Sequence, residues 1–285
     1  MKKLLSLLLV MCTLLSLVSC KDKKSSKKSG KNDDDEITFT EMVAVDNEEC
    51  LIKITGITND KYDGYNLKVL LENKSDDKSY TFSVHSAAIN GVQCSAYLYS
   101  SVSAGKKANE VISFTEDDLK ANGIKTYTDI ELTFQVYDSD DWMADDIVNE
   151  TVHIYPYGED KVTQYVRAGK ESDNIVVDNE YVTLTVIGYE YDDIWGYTVK
   201  LFLVNKTEER LMFSVEDASV NGFMADPSYA QLVSAGKCAF GSMSWYDSTL
   251  EDNGITKVEE IEFNLRVYDY DDWYDFVNTK VTLNP

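Results

Sequence analysis

The chain has 285 residues, of which 44% are hydrophobic, and its 50 acidic and 27 basic side chains give a net charge of −23 at pH 7. The apolar content excludes wholesale disorder. So acidic a chain is not expected to bind nucleic acid, because that affinity depends mainly on cationic contacts to phosphate. The length allows one large domain or two ordinary ones.

The first twenty residues have the pattern of an export signal. Two lysines precede an apolar run over residues 4–18, which ends in the sequence Leu17-Val18-Ser19-Cys20. These four residues resemble the lipobox of bacterial lipoproteins, in which the signal is removed before the cysteine and the cysteine sulfur takes a diacylglyceryl group. The resemblance implies a signal peptide over residues 1–19 and a lipid-modified Cys20 that anchors the protein in the bilayer, at the outer face of the cell membrane. The alternative is an uncleaved transmembrane helix, for which the run is short.

Residues 20–36 are predicted to form a disordered, charged tether. Residues 21–31 hold six lysines and one aspartate among serine and glycine, and such a segment cannot bury enough apolar surface to fold. Its lysines either lie against anionic lipid headgroups or simply keep the tether soluble. The body that follows, residues 37–285, carries 19 basic and 45 acidic side chains, a net charge of −26, so anionic lipid should repel it.

The body contains three cysteines, Cys50, Cys94 and Cys238. Three thiols cannot all pair within one chain, so we expect buried free thiols that act as small hydrophobic side chains. A bridge between Cys50 and Cys94 is the alternative, because both lie on the apolar phase of predicted strands.

The body is a tandem duplication. Its second half repeats the first at a shift of 132 residues, which becomes 131 after Lys74. So many collinear matches predict two homologous domains, over residues 37–156 and 173–285, joined by a polar linker over residues 157–172. The matching segments include Asp46-Asn47-Glu48 with Asp178-Asn179-Glu180, Asn90-Gly91 with Asn221-Gly222, and Asp140-Asp141-Trp142 with Asp271-Asp272-Trp273.

Each repeat has the alternating pattern of β-strands. Apolar side chains recur at every second position over residues 65–71 and 197–203, and again near the end of each repeat. The two Asn-Gly pairs predict tight hairpin turns, and a short helical turn is expected over residues 115–121 with Thr115 as its cap. Several short strands per repeat predict an all-β fold made of two tandem immunoglobulin-like β-sandwich domains.

Nearly the whole chain resembles the tandem immunoglobulin-like domains of lipoproteins from Gram-positive bacteria, particularly gut Firmicutes. The resemblance is carried by the lipobox, the Asn-Gly hairpins, an Ala-Gly-Lys loop, an Asn-Gly-Ile sequence and the Val-Tyr-Asp-x-Asp-Asp-Trp segment, each of the last four present in both repeats. It implies a fold and a location, but no activity, because these lipoproteins have no settled one.

The sequence does not point to catalysis. His85 and His153 fall in predicted strands, and repeat two has Glu216 and Thr282 in their places. Neither histidine has a nucleophile elbow or a partner at metal-ligand spacing, and the chain has no glycine-rich phosphate loop. We therefore predict a protein that is not an enzyme and needs no cofactor, with calcium as the one ion to consider.

The duplicated acidic-aromatic segment is the candidate metal site. It supplies Asp138, Asp140 and Asp141 in repeat one, and Asp269, Asp271 and Asp272 in repeat two. Clustered carboxylates are the ligands that calcium prefers, but the spacing does not match the helix-loop-helix calcium pattern. The competing interpretation is a solvated turn between the last two strands, in which the tryptophan folds over the end of the core.

Aromatic side chains beside carboxylates are the candidate ligand-binding groups, since their faces suit sugar rings. The candidates are Trp142 and Trp273 in the duplicated segment, and Tyr191 and Trp195 in repeat two alone. Aromatic residues are also the normal filling of a β-sandwich. Two functions follow: a non-catalytic interaction or structural module with a protein or glycan partner, or, alternatively, a calcium- or carbohydrate-binding surface lipoprotein.

Overall fold

Strands make up most of the structure, a computed structural model that describes residues 37–60 and 64–285. About 56% of the residues are in strands and 6% in helices, so the predicted all-β sandwich class is confirmed. The predicted signal peptide, Cys20 and the tether lie outside the described residues. Within the described part, no helix is long and apolar enough to cross a membrane.

Repeat one folds into two antiparallel sheets. Its elements are β1 (Met42–Asp46), β2 (Cys50–Asp60), β3 (Gly64–Asn73), β4 (Tyr80–Ile89), β5 (Val92–Cys94), β6 (Ala96–Tyr97), β7 (Tyr99–Val102), β8 (Lys107–Phe114), α1 (Asp117–Ala121), β9 (Ile130–Asp138) and β10 (Val148–Ile154). The first sheet has the order β1-β2-β3-β8-β6. The second contains β10-β9-β4-β5, with β7 also paired to β4.

Repeat two has the same arrangement. Its elements are β11 (Asn174–Asp178), β12 (Val182–Asp192), β13 (Gly196–Asn205), β14 (Leu211–Val220), β15 (Phe223–Met224), β16 (Ala230–Val233), β17 (Cys238–Trp245), α2 (Asp247–Asp252), β18 (Ile261–Asp269) and β19 (Asp275–Leu283). Strands β11-β12-β13-β17 correspond to the first sheet of repeat one. The order β15-β14-β18-β19, with β16 on β14, corresponds to the second.

In each repeat, the two sheets pack against each other, and each sheet buries one apolar face in this contact. In repeat one, Leu67 of β3 and Phe134 of β9 belong to the same buried cluster, and in repeat two Leu203 of β13 and Leu265 of β18 do the same. Alternation along each strand is what places these side chains on a single face, as expected for packed sheets.

The Asn-Gly hairpins are confirmed, and the predicted helix cap is wrong. Asn90 and Gly91 have φ values of 52° and 82°, and their counterparts in repeat two have 52° and 81°, as a tight hairpin turn requires. Glu116, not Thr115, occupies the N-cap position of the first helix, and its side chain makes no capping hydrogen bond. The backbone N–H of Thr115 donates to the Ser95 carbonyl at 2.9 Å, so this residue continues the strand pairing of β8 instead.

A parallel contact joins the two repeats. Strand β5 pairs with β17 at Val92 and Cys238, so one sheet runs from β10 through β5 and β17 to β11. The Gln93 side chain strengthens this junction, since it donates to the Leu232 carbonyl and accepts from the Ser234 N–H, both at 2.7 Å. Contacts accordingly group the two repeats and the linker into one compact unit.

The linker between the repeats is packed against both of them. The Tyr165 N–H donates to the Asn90 carbonyl at 2.8 Å in repeat one. Arg167 forms a half-buried ion pair with Asp173 at 2.6 Å, and its guanidinium lies 5.6 Å from the centre of the Phe202 ring in repeat two. Hydrogen bonds and an ion pair therefore hold this polar segment against the two repeats.

Cys50, Cys94 and Cys238, the cysteines within the described residues, are all free. The expectation of unbridged thiols is confirmed, and the alternative bridge between Cys50 and Cys94 does not form. Burial raises the pKa of the Cys50 thiol to about 11 and that of Cys94 to about 12. Both thiols are therefore protonated at neutral pH and pack as small side chains.

Candidate functional site

In repeat one, the candidate metal ligands lie in the turn that follows β9. The Asp138 carboxylate accepts the Asp140 N–H at 3.0 Å and pairs with Lys78 at 3.1 Å. Hydrogen bonds from the Asp140 backbone and from Lys78 hold the pKa of Asp138 below its usual value. The Asp141 N–H donates to the Asp138 carbonyl at 3.3 Å. These contacts close a turn by local hydrogen bonding.

The equivalent turn in repeat two is closed more tightly. Asp269 is buried, and its carboxylate accepts the N–H groups of Asp271 and Asp272 at 2.8 and 3.0 Å. Arg210 binds Asp271 through two nitrogens, at 2.5 and 3.2 Å. Among residues 37–60 and 64–285, no group of three or more His, Cys, Asp or Glu is arranged to hold a metal ion. Calcium binding at these turns stays a prediction.

The two tryptophans of these turns are exposed. Trp142 retains 72% of its accessible surface and Trp273 retains 63%. Trp273 has φ near 62° and its ring stacks on Tyr268 with 5.2 Å between centroids. The expectation that they fold over the end of the core is therefore wrong, because both rings face solvent.

The other aromatic pair, Tyr191 and Trp195, is separated by the hairpin that joins β12 and β13. Tyr191 faces α2, where its hydroxyl donates to the Asp247 carboxylate. Trp195 lies 5.9 Å from the Tyr246 ring and lines a different cavity, of about 610 Å³. The two candidates therefore do not form one ligand site.

Tyr191 instead forms the rim of a pocket that we call the repeat-two pocket. The pocket has a volume of about 480 Å³ and lies between the β12–β13 hairpin, α2 and the loop before β18. Leu250 and Ile255 form its buried apolar floor, and Glu251 and Lys257 stand at its exposed edge. Its lining residues are Tyr191, Tyr197, Asp247, Leu250, Glu251, Ile255, Thr256, Lys257 and Val258.

A glycine fixes the close approach of the hairpin to α2. Gly196 begins β13 with φ of +74°, and a Cβ atom there would collide with the Trp245 carbonyl oxygen. Gly64 at the matching position of repeat one has φ of +68° and lies against the Glu116 carboxylate. A side chain at either position would be strained as well as crowded. Glycine therefore lets each strand start pack directly against the residue that carries the pocket carboxylate.

Repeat one contains the same pocket in a filled form. There the cavity is about 210 Å³ and is lined by Tyr65, Glu116 and Tyr127, among others. Tyr127 is only 2% exposed, and its ring centre lies 4.6 Å from that of Tyr65. At the shift of 131, the residue that replaces Tyr127 in repeat two is Val258. The shorter side chain leaves the second pocket open.

Both tyrosines of the repeat-two pocket remain protonated at neutral pH. Burial raises the pKa of Tyr197 to about 12. The hydrogen bond to Asp247 raises the pKa of Tyr191 above its usual value. The pocket therefore combines neutral aromatic walls with two carboxylates at its edge, Asp247 and Glu251.

The histidines and the remaining thiols are engaged elsewhere. His153 contacts Asp129 at 2.8 Å and Glu131 at 3.4 Å. His85 accepts a hydrogen bond from Arg210 at 3.2 Å and lines, with Cys94, a cavity of about 750 Å³ between the repeats. The raised pKa of Cys94 keeps its sulfur protonated, so this cavity holds no thiolate at neutral pH.

Sequence reasoning identified Tyr191 but missed the pocket that it belongs to. The alignment of the two repeats contains a sign of this pocket. Tyr127 of repeat one is replaced by the smaller Val258 in repeat two, between segments that otherwise match. An aromatic residue that becomes a small one at a buried position leaves a cavity unless its neighbours move in. Locating that cavity required the positions of the hairpin and α2.

Comparisons with known proteins identify no relative of this chain by sequence. No protein-family model matches, and a search of curated proteins finds no match either. The resemblance to Gram-positive lipoproteins stays a prediction.

Three solved structures are similar to it only distantly. Red sea bream transglutaminase has a TM-score of 0.22 and 11% identity, over 80% of this chain but only 31% of its own length. A protein of unknown function from Porphyromonas gingivalis W83 has a TM-score of 0.22 and 10% identity, over 87% of this chain and 100% of its own. The exo-chitosanase CsxA of Amycolatopsis orientalis has a TM-score of 0.23 and 10% identity, over 84% of this chain and 26% of its own. Likeness at this level does not identify a function.

Proposed function

We propose that this protein is a lipid-anchored, non-catalytic interaction module at the outer face of the cell membrane, which binds a protein partner through the repeat-two pocket. One observation carries the proposal: the pocket is open in repeat two, at about 480 Å³, and filled by Tyr127 in repeat one. Two copies kept only for structural support would both gain from a filled pocket, because unfilled apolar space destabilises a fold.

The composition of the pocket supports binding. Its walls combine tyrosine rings and aliphatic side chains with a few polar groups at one edge, which is the usual make-up of a recognition site. Aromatic anchors that enter such pockets also dominate the energetics of protein interfaces. The packed linker and the shared sheet support this role as well, because they hold the pocket on a preorganised body.

The anchor is proposed at Cys20, which follows the apolar run and ends the lipobox-like sequence. A diacylglyceryl group has two acyl chains, and two chains hold a protein stably where one does not. Cys20→Ser should abolish incorporation of an alkyne-labelled fatty acid and release the protein from the membrane fraction. Labelling that persists in Cys20→Ser would contradict this assignment.

The proposal of a non-catalytic role is supported by the contacts of the candidate catalytic groups. His153 is paired with Asp129 and Glu131, and His85 is held by Arg210. The Cys94 thiol, which lies in a cavity with His85, has a pKa of about 12. An activated nucleophile needs a lowered pKa or an adjacent free base.

Site-specific photo-crosslinking in intact cells tests the interaction. A photoreactive residue at the exposed pocket edge, in place of Glu251, should give a discrete adduct with a partner protein. Val258→Tyr refills the pocket as in repeat one and should abolish that adduct. The matched control is Val166→Tyr, which adds the same ring at a linker residue that is 85% exposed. An adduct that survives Val258→Tyr, or no adduct at all, would refute binding through this pocket.

A further inference from the structure

Repeat one shows which chemical group fits this type of pocket. Tyr127 enters the pocket from within the chain, and its ring centre lies 4.6 Å from that of Tyr65 and 6.3 Å from that of Phe114. Its hydroxyl donates to the Glu116 carboxylate at 2.8 Å. In repeat one, a phenolic side chain therefore packs against the aromatic walls of the pocket and donates a hydrogen bond to its carboxylate.

The two ring neighbours and the hydrogen-bond acceptor of Tyr127 have polar or aromatic counterparts in repeat two. Tyr197 stands in place of Tyr65, Trp245 in place of Phe114 and Asp247 in place of Glu116, at the shifts of 132 and 131. The ring of Tyr127 has no counterpart at its own position, because Val258 replaces it, and Asp247 accepts the Tyr191 hydroxyl instead. Tyr197 and Asp247 both line the pocket, whereas Trp245 is buried beneath it, so one aromatic wall and the acceptor are retained.

We infer that the repeat-two pocket binds the side chain of a tyrosine presented by a partner protein, with its ring against Tyr197 and its hydroxyl donating to Asp247. The inference rests on the proposed function and names the chemistry of its ligand. Asp247 already accepts the Tyr191 hydroxyl through Oδ1. A carboxylate has two oxygens and about four acceptor positions, so it can accept a second hydroxyl.

The charge of the pocket edge narrows the ligand further. Asp247 and Glu251 are both acidic, whereas Lys257 pairs with Glu259 at 3.0 Å. A neutral phenol donates a hydrogen bond to such an edge. A phosphorylated tyrosine would instead bring a charge of about −1.5 to −2 next to these carboxylates and be repelled. The pocket should therefore discriminate against phosphotyrosine.

Saturation-transfer NMR on the full chain in detergent micelles measures this binding directly. The probes are N-acetyl-tyrosinamide, its phenylalanine analogue, its phosphotyrosine analogue and methyl glucoside. We expect the tyrosine probe to bind about ten- to a hundredfold more tightly than the phenylalanine probe, because the latter lacks a hydrogen bond to a charged acceptor. The phosphotyrosine probe and the glucoside should give no saturable signal.

Two variants locate the binding. Val258→Tyr should abolish it, while Val166→Tyr should leave it unchanged, and matching melting temperatures would show that both variants fold. Asp247→Ala should bring the affinities for the tyrosine and phenylalanine probes to within about threefold, because the charged acceptor is removed.

The outcomes separate the inference from the proposed function. Equal affinity for the tyrosine and phenylalanine probes, or saturation by the glucoside alone, would overturn the tyrosine inference but leave the Val258-dependent crosslink intact. Tyrosine binding that persists in Val258→Tyr would also overturn it, since the site would lie elsewhere. If the protein with valine at position 258 gives no crosslinked adduct and also binds no probe, the proposed function is refuted as well.

Discussion

Opening the filled pocket of repeat one should destabilise the protein far more than filling the open pocket of repeat two. Tyr127→Val removes a ring that is 2% exposed and contacts Tyr65 and Phe114. Truncating a buried aromatic residue to alanine costs about 3–5 kcal/mol. Valine keeps part of the apolar side chain, so we expect a loss of about 2–4 kcal/mol in the free energy of unfolding.

The reverse exchange should behave differently. Val258→Tyr adds a ring where about 480 Å³ is already open, so the overpacking that usually costs about 1–3 kcal/mol should be absent. The same pair of side chains is thus exchanged in both directions at equivalent positions. Tyr127→Phe is the intermediate control, because it keeps the ring and loses only the hydrogen bond to Glu116.

Urea unfolding followed by circular dichroism measures these free energies, and thermal scans supply a second estimate. For a body of this size, each kcal/mol corresponds to roughly 2–4 °C, so Tyr127→Val should lower the melting temperature by about 5–15 °C. A loss below about 1 kcal/mol for Tyr127→Val would refute the assignment of Tyr127 as the filling of this pocket. If Val258→Tyr lowers the free energy of unfolding as much as Tyr127→Val does, the repeat-two pocket is not open.

Three further measurements follow from the electrostatics. The pKa of Asp173 is lowered to about 2, mainly by its hydrogen bond with Arg167. The stabilisation that this ion pair supplies is therefore present above about pH 4 and is lost as the pH falls towards 2. The melting temperatures of the parent and Asp173→Asn should differ above pH 5 and converge near pH 2. The pKa of Cys94 is raised to about 12 by burial, so a disulfide reagent at pH 8 should label it slowly in the folded protein and fast in urea. Calcium binding at the duplicated turns predicts a higher melting temperature in calcium than in chelator, because an ion that binds only the folded state stabilises it.

Each of these has a contrary outcome. A constant difference between the parent and Asp173→Asn down to pH 2 would show that the ion pair does not set this pH dependence. Rapid labelling of native Cys94 would show that its sulfur is accessible and ionised. Superimposable scans, or a calcium-dependent rise that persists in Asp269→Asn, would contradict calcium binding at the end of β18.

The strands were predictable because both repeats carry the same period-two pattern, and one copy checks the other. The Asn-Gly turns were predictable because Asn90 and Gly91 both tolerate positive φ. The helix cap was not, because Thr115 has a strand partner 20 residues earlier that outcompetes the local capping pattern. Local signals fix local structure unless a distant partner takes the same backbone group.

The acidic segments and the repeat-two pocket show why sites are harder to predict than strands. Asp269 is a candidate metal ligand in the sequence, and in the structure one of its carboxylate oxygens accepts the N–H groups two and three residues ahead. A metal ligand and a turn-forming aspartate have the same sequence pattern. The pocket depends on Tyr127, Val258 and the two hairpins that approach the helices. No single window of the sequence contains all of these residues.

The parallel pairing of β5 with β17 has a consequence for either repeat produced on its own. Repeat two without repeat one and the linker would bare the backbone of β17 near Cys238 and the side of Phe240 that packs against Tyr165 of the linker. An exposed strand edge beside aromatic side chains is a template for aggregation. We therefore expect repeat two to be less soluble alone than when it is joined to repeat one.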